Sequence, residues 1–347
     1  WKKLDSHTVK AVLSSPNADL IPTLATFHFS ILQDGCEEKS GYFNKTIGTG
    51  PYTVEEFSPG VRSISKKNPN YWREGGWVDE IEMFGIVDNS ARVNAVVSGA
   101  VDMAATIDPK SYKQVDQADG VSLFANESGA YAGMVLMLDR APGNNPDFVK
   151  TIKLLQNRKR IIRSVLKGQG GVGNDHPIGP AYGATHCETL EQTELDLDQA
   201  KFHLTKSGIN KAQLQGSEGI RGALDPALLM QAEANKIGLQ IDIKKVPHDG
   251  YWGTTWMNTP FHSTNWNMRP TAYVMMELAY APDAPWNESI WKNERMGMLL
   301  SASRSETDTA KRKEMFCEMQ GLIRAEAGTV IWGHTNYVDA AGHHVKG

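Results

Sequence analysis

The stretch Ile47-Gly48-Thr49-Gly50-Pro51-Tyr52, continued through Val54, Glu55, Glu56 and Phe57 to Asn68-Pro69-Asn70-Tyr71-Trp72, constrains this chain more than any other. Two glycines beside a proline dictate a tight turn whose φ angles few residues adopt, and the run Tyr52, Val54 and then Phe57 predicts a strand leaving it. Ser58-Pro59-Gly60 predicts a second turn, and Arg62 to Lys67 a second, basic strand. Pro69 biases Asn68 to extended backbone, and the aromatic pair Tyr71-Trp72 is expected to anchor the segment. With 347 residues the chain exceeds what one core usually organises, so two lobes are expected, and 40% hydrophobic residues suffice for both cores.

Composition removes several classes of function. The 36 basic and 40 acidic residues nearly cancel without a long run of one sign, which argues against a nucleic-acid surface. No apolar stretch approaches the ~20 residues of a membrane-spanning helix. Cys36, Cys187 and Cys317 are few, odd in number and far apart, so each is expected as a small core residue, outside any disulfide framework or zinc motif. No GxSxG elbow, HExxH or P-loop occurs, and neither a cofactor nor a metal is expected. The adjacent His343-His344 reads as a solvated terminus, and Glu37-Glu38 and Glu55-Glu56 as solvated acid pairs.

Helix and strand signals alternate along the chain. Trp77 to Val87 predicts a strand and Asp88 to Gly99 a helix with Val93, Val96 and Val97 inward; Val101-Asp102-Met103 predicts a short strand. Two apolar runs, Val121 to Ala125 and Tyr131 to Leu138, flank Asn126-Glu127-Ser128-Gly129 and predict a crossing between lobes. Asn145 as cap and Pro146 at the first helical position open the clearest helix, with Phe148, Ile152, Leu155, Ile162 and Leu166 inward and Gly168 as its stop. Arg158-Lys159-Arg160 reads as its solvated face. Gly168 to Gly173 formally matches GxGxxG, but a helix precedes it and Asn174-Asp175-His176-Pro177 follows, the wrong context for a dinucleotide. Further helices are predicted over Asp198 to Gly208, Ala223 to Gly238 and Thr307 to Ala327, and strands over Gln240 to Val246 and Thr329 to Ala340. Such alternation is α/β logic.

Gly48-Thr49-Gly50-Pro51-Tyr52 followed by Asn68-Pro69-Asn70-Tyr71-Trp72 resembles a signature of the extracellular substrate-binding proteins of ABC transporters, family 5, the group that carries peptides, nickel chelates and opines. The resemblance covers nearly the whole chain. It implies an α/β, two-lobed periplasmic-binding-protein-like fold of type II, cluster C, with mixed sheets and a ligand cleft between lobes. On that reading residues 1–45 end a small N-terminal subdomain, 46–128 form lobe I, 129–328 lobe II, and 329–347 return to lobe I, with crossings near Asn126 to Tyr131 and Gly328 to Thr335. It further implies a fragment lacking both ends, and a periplasmic or extracellular monomer that delivers a peptide or other small solute to membrane permease subunits. No enzymatic activity is implied. A cleft hydrolase or lyase on a similar scaffold is the alternative.

Aromatic and amide side chains concentrate between His248 and Trp291, where a flat apolar wall with a few fixed donors would suit a small-molecule pocket. Tyr131, Trp252, Trp256, Trp266, Asn267 and Arg269 are the candidate ligand-binding residues, although tryptophans are equally often partly buried core. In peptide-binding members of the family the segment matching Trp266-Asn267-Met268-Arg269-Pro270 carries an acid for the ligand's amino group. Here Arg269 stands instead, which implies an anionic group on the solute unless Asp283 or Glu277 already pairs it.

Overall fold

The computed structural model describes residues 1–35 and 48–346; Cys36, the Glu37-Glu38 pair and Ile47 lie outside them. The chain divides into a larger unit, Trp1–Thr23 with Ala125–Tyr337, and a smaller one, Leu24–Phe124 with Val338–Gly347. The crossings therefore fall at 124/125 and 337/338, and the first 23 residues group with the larger unit. This differs from the boundaries at 128/129 and 328/329 expected from sequence. The reason is pairing: Thr329–Thr335 hydrogen-bonds along Tyr131–Leu136 in the larger unit's sheet, and only the following strand, Tyr337–Gly342, pairs with Met103–Ala104.

The larger unit is built on a six-stranded mixed sheet in the order Gln240–Lys245, Lys211–Gly216, Phe261–Trp266, Tyr131–Leu136, Thr329–Thr335, Gly170–Val172. Its first three strands run parallel, and Tyr131–Leu136 is antiparallel to both its neighbours. Those two central strands, Tyr131–Leu136 and Thr329–Thr335, are buried at every residue, as strands covered on both faces must be. Alternation sorts their side chains into two cores. Ala132, Met134, Leu136, Val330 and Trp332 meet Phe148 and Ile152 of the helix Pro146–Leu154, Ala200 and Leu204 of Leu197–Ser207, and Ala227 and Met230 of Leu224–Lys236. Tyr131 and Ile331 point the other way, onto Ala272–Tyr280, Glu294–Ser305 and Thr309–Glu326. Each of the larger side chains among them, such as Met134, Leu136 and Phe148, contributes roughly 1.5–3 kcal/mol on burial. Gly133 is required at a close approach of two strands, because a Cβ there would stand 2.5 Å from the Val330 carbonyl oxygen.

Helix starts follow their caps. Asn145 accepts the Phe148 N–H at 3.1 Å with Pro146 at the first turn, Asp196 accepts the Gln199 N–H at 2.9 Å, and Asp308 accepts those of Ala310 and Lys311. The single helix expected from Pro146 to Leu166 is two, Pro146–Leu154 and Arg158–Ser164, because Asn157 caps a new start by accepting the Arg160 N–H. In the glycine-rich run Gly170–Val172 is a strand paired with Thr329–Thr335, so no phosphate turn forms.

Two sequence expectations are overturned inside this unit. Arg158 is no part of a solvated face: it is 2% exposed and grips Asp175 through two hydrogen bonds of 2.7 and 2.8 Å, while Lys159 and Arg160 alone face solvent. A charge run on a short helix cannot reveal that one of its members finds a buried acid seventeen positions on. Cys187 and Cys317 are not separate core residues but a disulfide, 130 positions apart in sequence and 5.0 Å apart between Cα atoms. The helix Thr309–Glu326 brings Cys317 to the loop, and its Gln320 side-chain oxygen accepts the Cys187 N–H at 3.0 Å.

The smaller unit holds an antiparallel meander, Tyr52–Ser58, Arg62–Lys67, Glu80–Phe84, and a core of Val93, Val96, Ile107, Val115, Val121 and Val338. The signature turn is held by Asn68, whose amide donates to the Gly50 carbonyl at 3.0 Å and whose N–H donates to that of Pro51 at 2.8 Å. Trp72 does not anchor it: the ring is 73% exposed beneath the Arg73 guanidinium. His344 lies 2.8 Å from Asp102 and His343 lies 2.9 Å from Ser122.

Candidate functional site

The strand Phe261–Trp266 ends where Trp266 stands opposite Tyr131, which in turn faces His334 of the next strand. This sheet end carries a continuous series of rings. Tyr131 stacks on Trp266 with centroids 6.4 Å apart; Trp266 meets Trp256 at 6.4 Å and Trp286 at 6.0 Å edge-on; Trp256 meets Trp252 at 5.6 Å. Burial sorts them by role. Tyr131 and Trp266 are 1% and 6% exposed and belong to the core, whereas Trp252 and Trp286 are 43% and 41% exposed and form the outer wall. Tyr251, on the short helix Tyr251–Thr254, fixes Trp252 from inside by donating its hydroxyl to the Ser263 carbonyl at 2.8 Å.

Beneath the wall lies Glu288. Its Oε2 accepts the indole N–H of Trp256 at 2.6 Å and the hydroxyl of Thr264 at 2.8 Å, and its Oε1 accepts the indole N–H of Trp266 at 3.1 Å. The carboxyl is 1% exposed, and burial pushes it up to about 7 although all three donors favour the charged form. Loop residues Trp286-Asn287-Glu288 show no helical or strand period, so sequence periodicity gave no signal for this acid.

Arg269 follows the wall. Its guanidinium lies 5.4 Å from the Trp266 ring centroid, its Nη1 donates to the Asn267 carbonyl at 3.2 Å, and its backbone N–H donates to the Tyr182 hydroxyl at 3.0 Å. Neither Asp283 nor Glu277 pairs with it; Glu277 instead accepts the Tyr273 hydroxyl at 2.5 Å. Asn267 accepts the Tyr337 hydroxyl at 3.0 Å, and over the Tyr337 ring, at 5.3 Å, stands Arg221, which also donates to the Thr335 hydroxyl at 3.0 Å. Among the described residues neither Arg221 nor Arg269 makes an ion pair. Burial holds His334 down to about 4 and His176 to about 3, so neither of them adds positive charge near neutral pH.

All six residues singled out from sequence thus fall in one cluster at one sheet end. Arg221, Tyr182, Trp286 and Glu288 complete it. The cluster can stack a flat apolar group on indole and offer planar guanidinium forks to an anion. Another cavity of the larger unit, about 870 Å³ beside Asp147, Lys150, Glu194 and Glu326, lies away from these rings. Two of its basic side chains are already engaged, His203 2.7 Å from Asp147 and Lys153 bonded to the Arg324 and Ala327 carbonyls, and among the described residues it has no wall of stacked rings, so the aromatic cluster is the better candidate. Among the described residues no group of three or more histidine, cysteine or acidic side chains could hold a metal ion, and no helix is long and apolar enough to cross a membrane.

Comparison with known proteins gives one answer. The profile of the bacterial extracellular solute-binding proteins, family 5 Middle, matches residues 1–285. The probable D,D-dipeptide-binding periplasmic protein DdpA of Escherichia coli K12 is 23% identical over 367 residues, covering 99% of this chain and 69% of the relative. The di/tripeptide-binding protein 2 of Pseudomonas aeruginosa is 21% identical, covering 100% and 68%. Among solved structures the chain is similar to the ABC transporter-associated periplasmic binding protein DppA of Helicobacter pylori in complex with the peptide STSA, with a TM-score of 0.87, 20% identity and coverage of 100% and 70%. It is also similar to NikA of Staphylococcus aureus in complex with Ni(L-His)2, with a TM-score of 0.84, 17% identity and coverage of 96% and 72%. The α/β fold is that of these two-lobed binding proteins.

Proposed function

Because this chain belongs to the bacterial extracellular solute-binding proteins of family 5, we propose that it is the substrate-binding component of an ABC importer and captures a small solute bearing an anionic group. The solute passes to the membrane permease chemically unchanged. One observation carries the anionic part of this reading: Arg269, stacked on Trp266 with Arg221 close by, has no carboxylate partner among the described residues. A guanidinium already fixed against a ring loses little freedom when a carboxylate, sulfonate or phosphate docks on its free edge. Short peptides with a free terminal carboxylate fit, in keeping with the names of the relatives above. Export to the periplasm or beyond is supported by the Cys187–Cys317 disulfide, which an oxidising compartment maintains.

The test is a thermal-shift screen of the purified protein against short peptides, dicarboxylates, organic phosphates and nickel–histidine, with mass spectrometry of what the native protein carries. The proposal expects an anionic compound that raises the melting temperature and is recovered intact. Recovery of a converted product, or stabilisation by cationic compounds alone, contradicts it.

A further inference from the structure

The buried carboxyl of Glu288 lies beneath the aromatic wall, and among the described residues everything bonded to it donates. Indole N–H groups can only donate, so Trp256 and Trp266 have no alternative role toward it. Thr264 could turn its hydrogen elsewhere, but Oε2 would still face the Trp256 N–H at 2.6 Å and Oε1 the Trp266 N–H at 3.1 Å. A proton on either oxygen turns these charge-assisted hydrogen bonds into neutral ones of roughly half the strength, and so weakens the hold on both indoles. Among the described residues, burial and these three donors are what set the charge state of the carboxyl. Tyr131, Tyr251 and Tyr280 face the carboxyl from three elements, and burial raises all three phenols, so they stay neutral. The nearest cation along the ring series, Arg269, lies beyond Trp266.

We propose that Glu288 is the positioning residue of this wall: its carboxylate locks Trp256 and Trp266 in place, and uptake of one proton loosens them. The wall is then ordered above neutral pH and loosened below it. On the reading that the wall meets the solute, on which this consequence rests, solute is held more weakly in acidic surroundings. Geometry and burial pull in opposite directions here. Removing the buried charge relieves its desolvation, yet an acid has one acceptor fewer for three donors.

The experiment uses the ligand-free protein, so its outcome is independent of which solute is carried. With 15N-labelled chain, the indole N–H resonances, assigned through Trp256→Phe and Trp266→Phe, are followed between roughly pH 5 and 9. Both are expected to move together through one midpoint near the value of about 7 that burial gives Glu288. In Glu288→Gln both lose this titration. Resonances that stay constant across the range, move with separate midpoints, or titrate unchanged in Glu288→Gln overturn the proposal. Should Glu288→Gln not fold, the wild-type titration decides: two indole resonances moving with one common midpoint report one shared acid, and any other pattern overturns the proposal.

Discussion

The Arg269 guanidinium lies against the Trp266 ring, and the same indole donates its N–H to the buried carboxylate of Glu288. Cation, ring and acid thus form one series from the end of the sheet into its core. Charge at the outer end has no ion-pair partner among the described residues, while charge at the inner end holds the rings.

The inner end has a consequence for stability. Glu288 has its ordinary value, near 4.5, in the unfolded chain and about 7 when folded. Between these values the native state keeps a proton that the unfolded state has released, so this group favours folding at low pH and that contribution is lost as pH rises through 7. The stability of wild type relative to Glu288→Gln should therefore fall by up to about 3 kcal/mol between roughly pH 4.5 and 8. Urea titrations of both proteins check this, and a difference independent of pH would refute it.

Arg158 and Asp175 predict a different response, independent of solute. Each is almost fully buried, so removing one partner strands the other's charge, at about 3–5 kcal/mol. Arg158→Met and Asp175→Asn should each lower the denaturant midpoint markedly, and the double substitution should cost less than the sum of the two. Strict additivity would show that the two residues do not act as a pair.

The Cys187–Cys317 disulfide closes a loop of 130 residues within the larger unit. Replacing both cysteines by serine should cost about 2–4 kcal/mol, and a thiol reductant should then have no further effect. If reductant leaves the wild-type melting temperature unchanged while mass spectrometry reports both thiols reduced, the link contributes nothing.

How much of this was legible beforehand depended on whether the signal was local. Asn145-Pro146 announced a helix start because cap and first turn are sequence neighbours, and the apolar run Tyr131 to Leu138 announced a buried strand. The concentration of rings between His248 and Trp291 announced the ring cluster at the end of the Phe261–Trp266 strand. What stayed hidden was set by distant partners: Asp175 for Arg158, Cys317 for Cys187, and Tyr337 for Arg221. The second crossing was misplaced for the same reason, since only pairing with Tyr131–Leu136 assigns Thr329–Thr335 to the larger unit. Trp72 shows the converse, an aromatic in a recognisable signature that lies exposed.

Arg269→Met tests the account most directly. The substitution keeps the apolar stem over Trp266 and breaks no ion pair among the described residues, so the empty protein should retain its melting temperature. Calorimetric titration with the anionic solute recovered from the native protein should show affinity weakened by roughly 2–5 kcal/mol, the cost of removing one partner of a desolvated charge pair. Unchanged affinity in the folded variant would contradict the claim that this arginine meets the solute's anionic group.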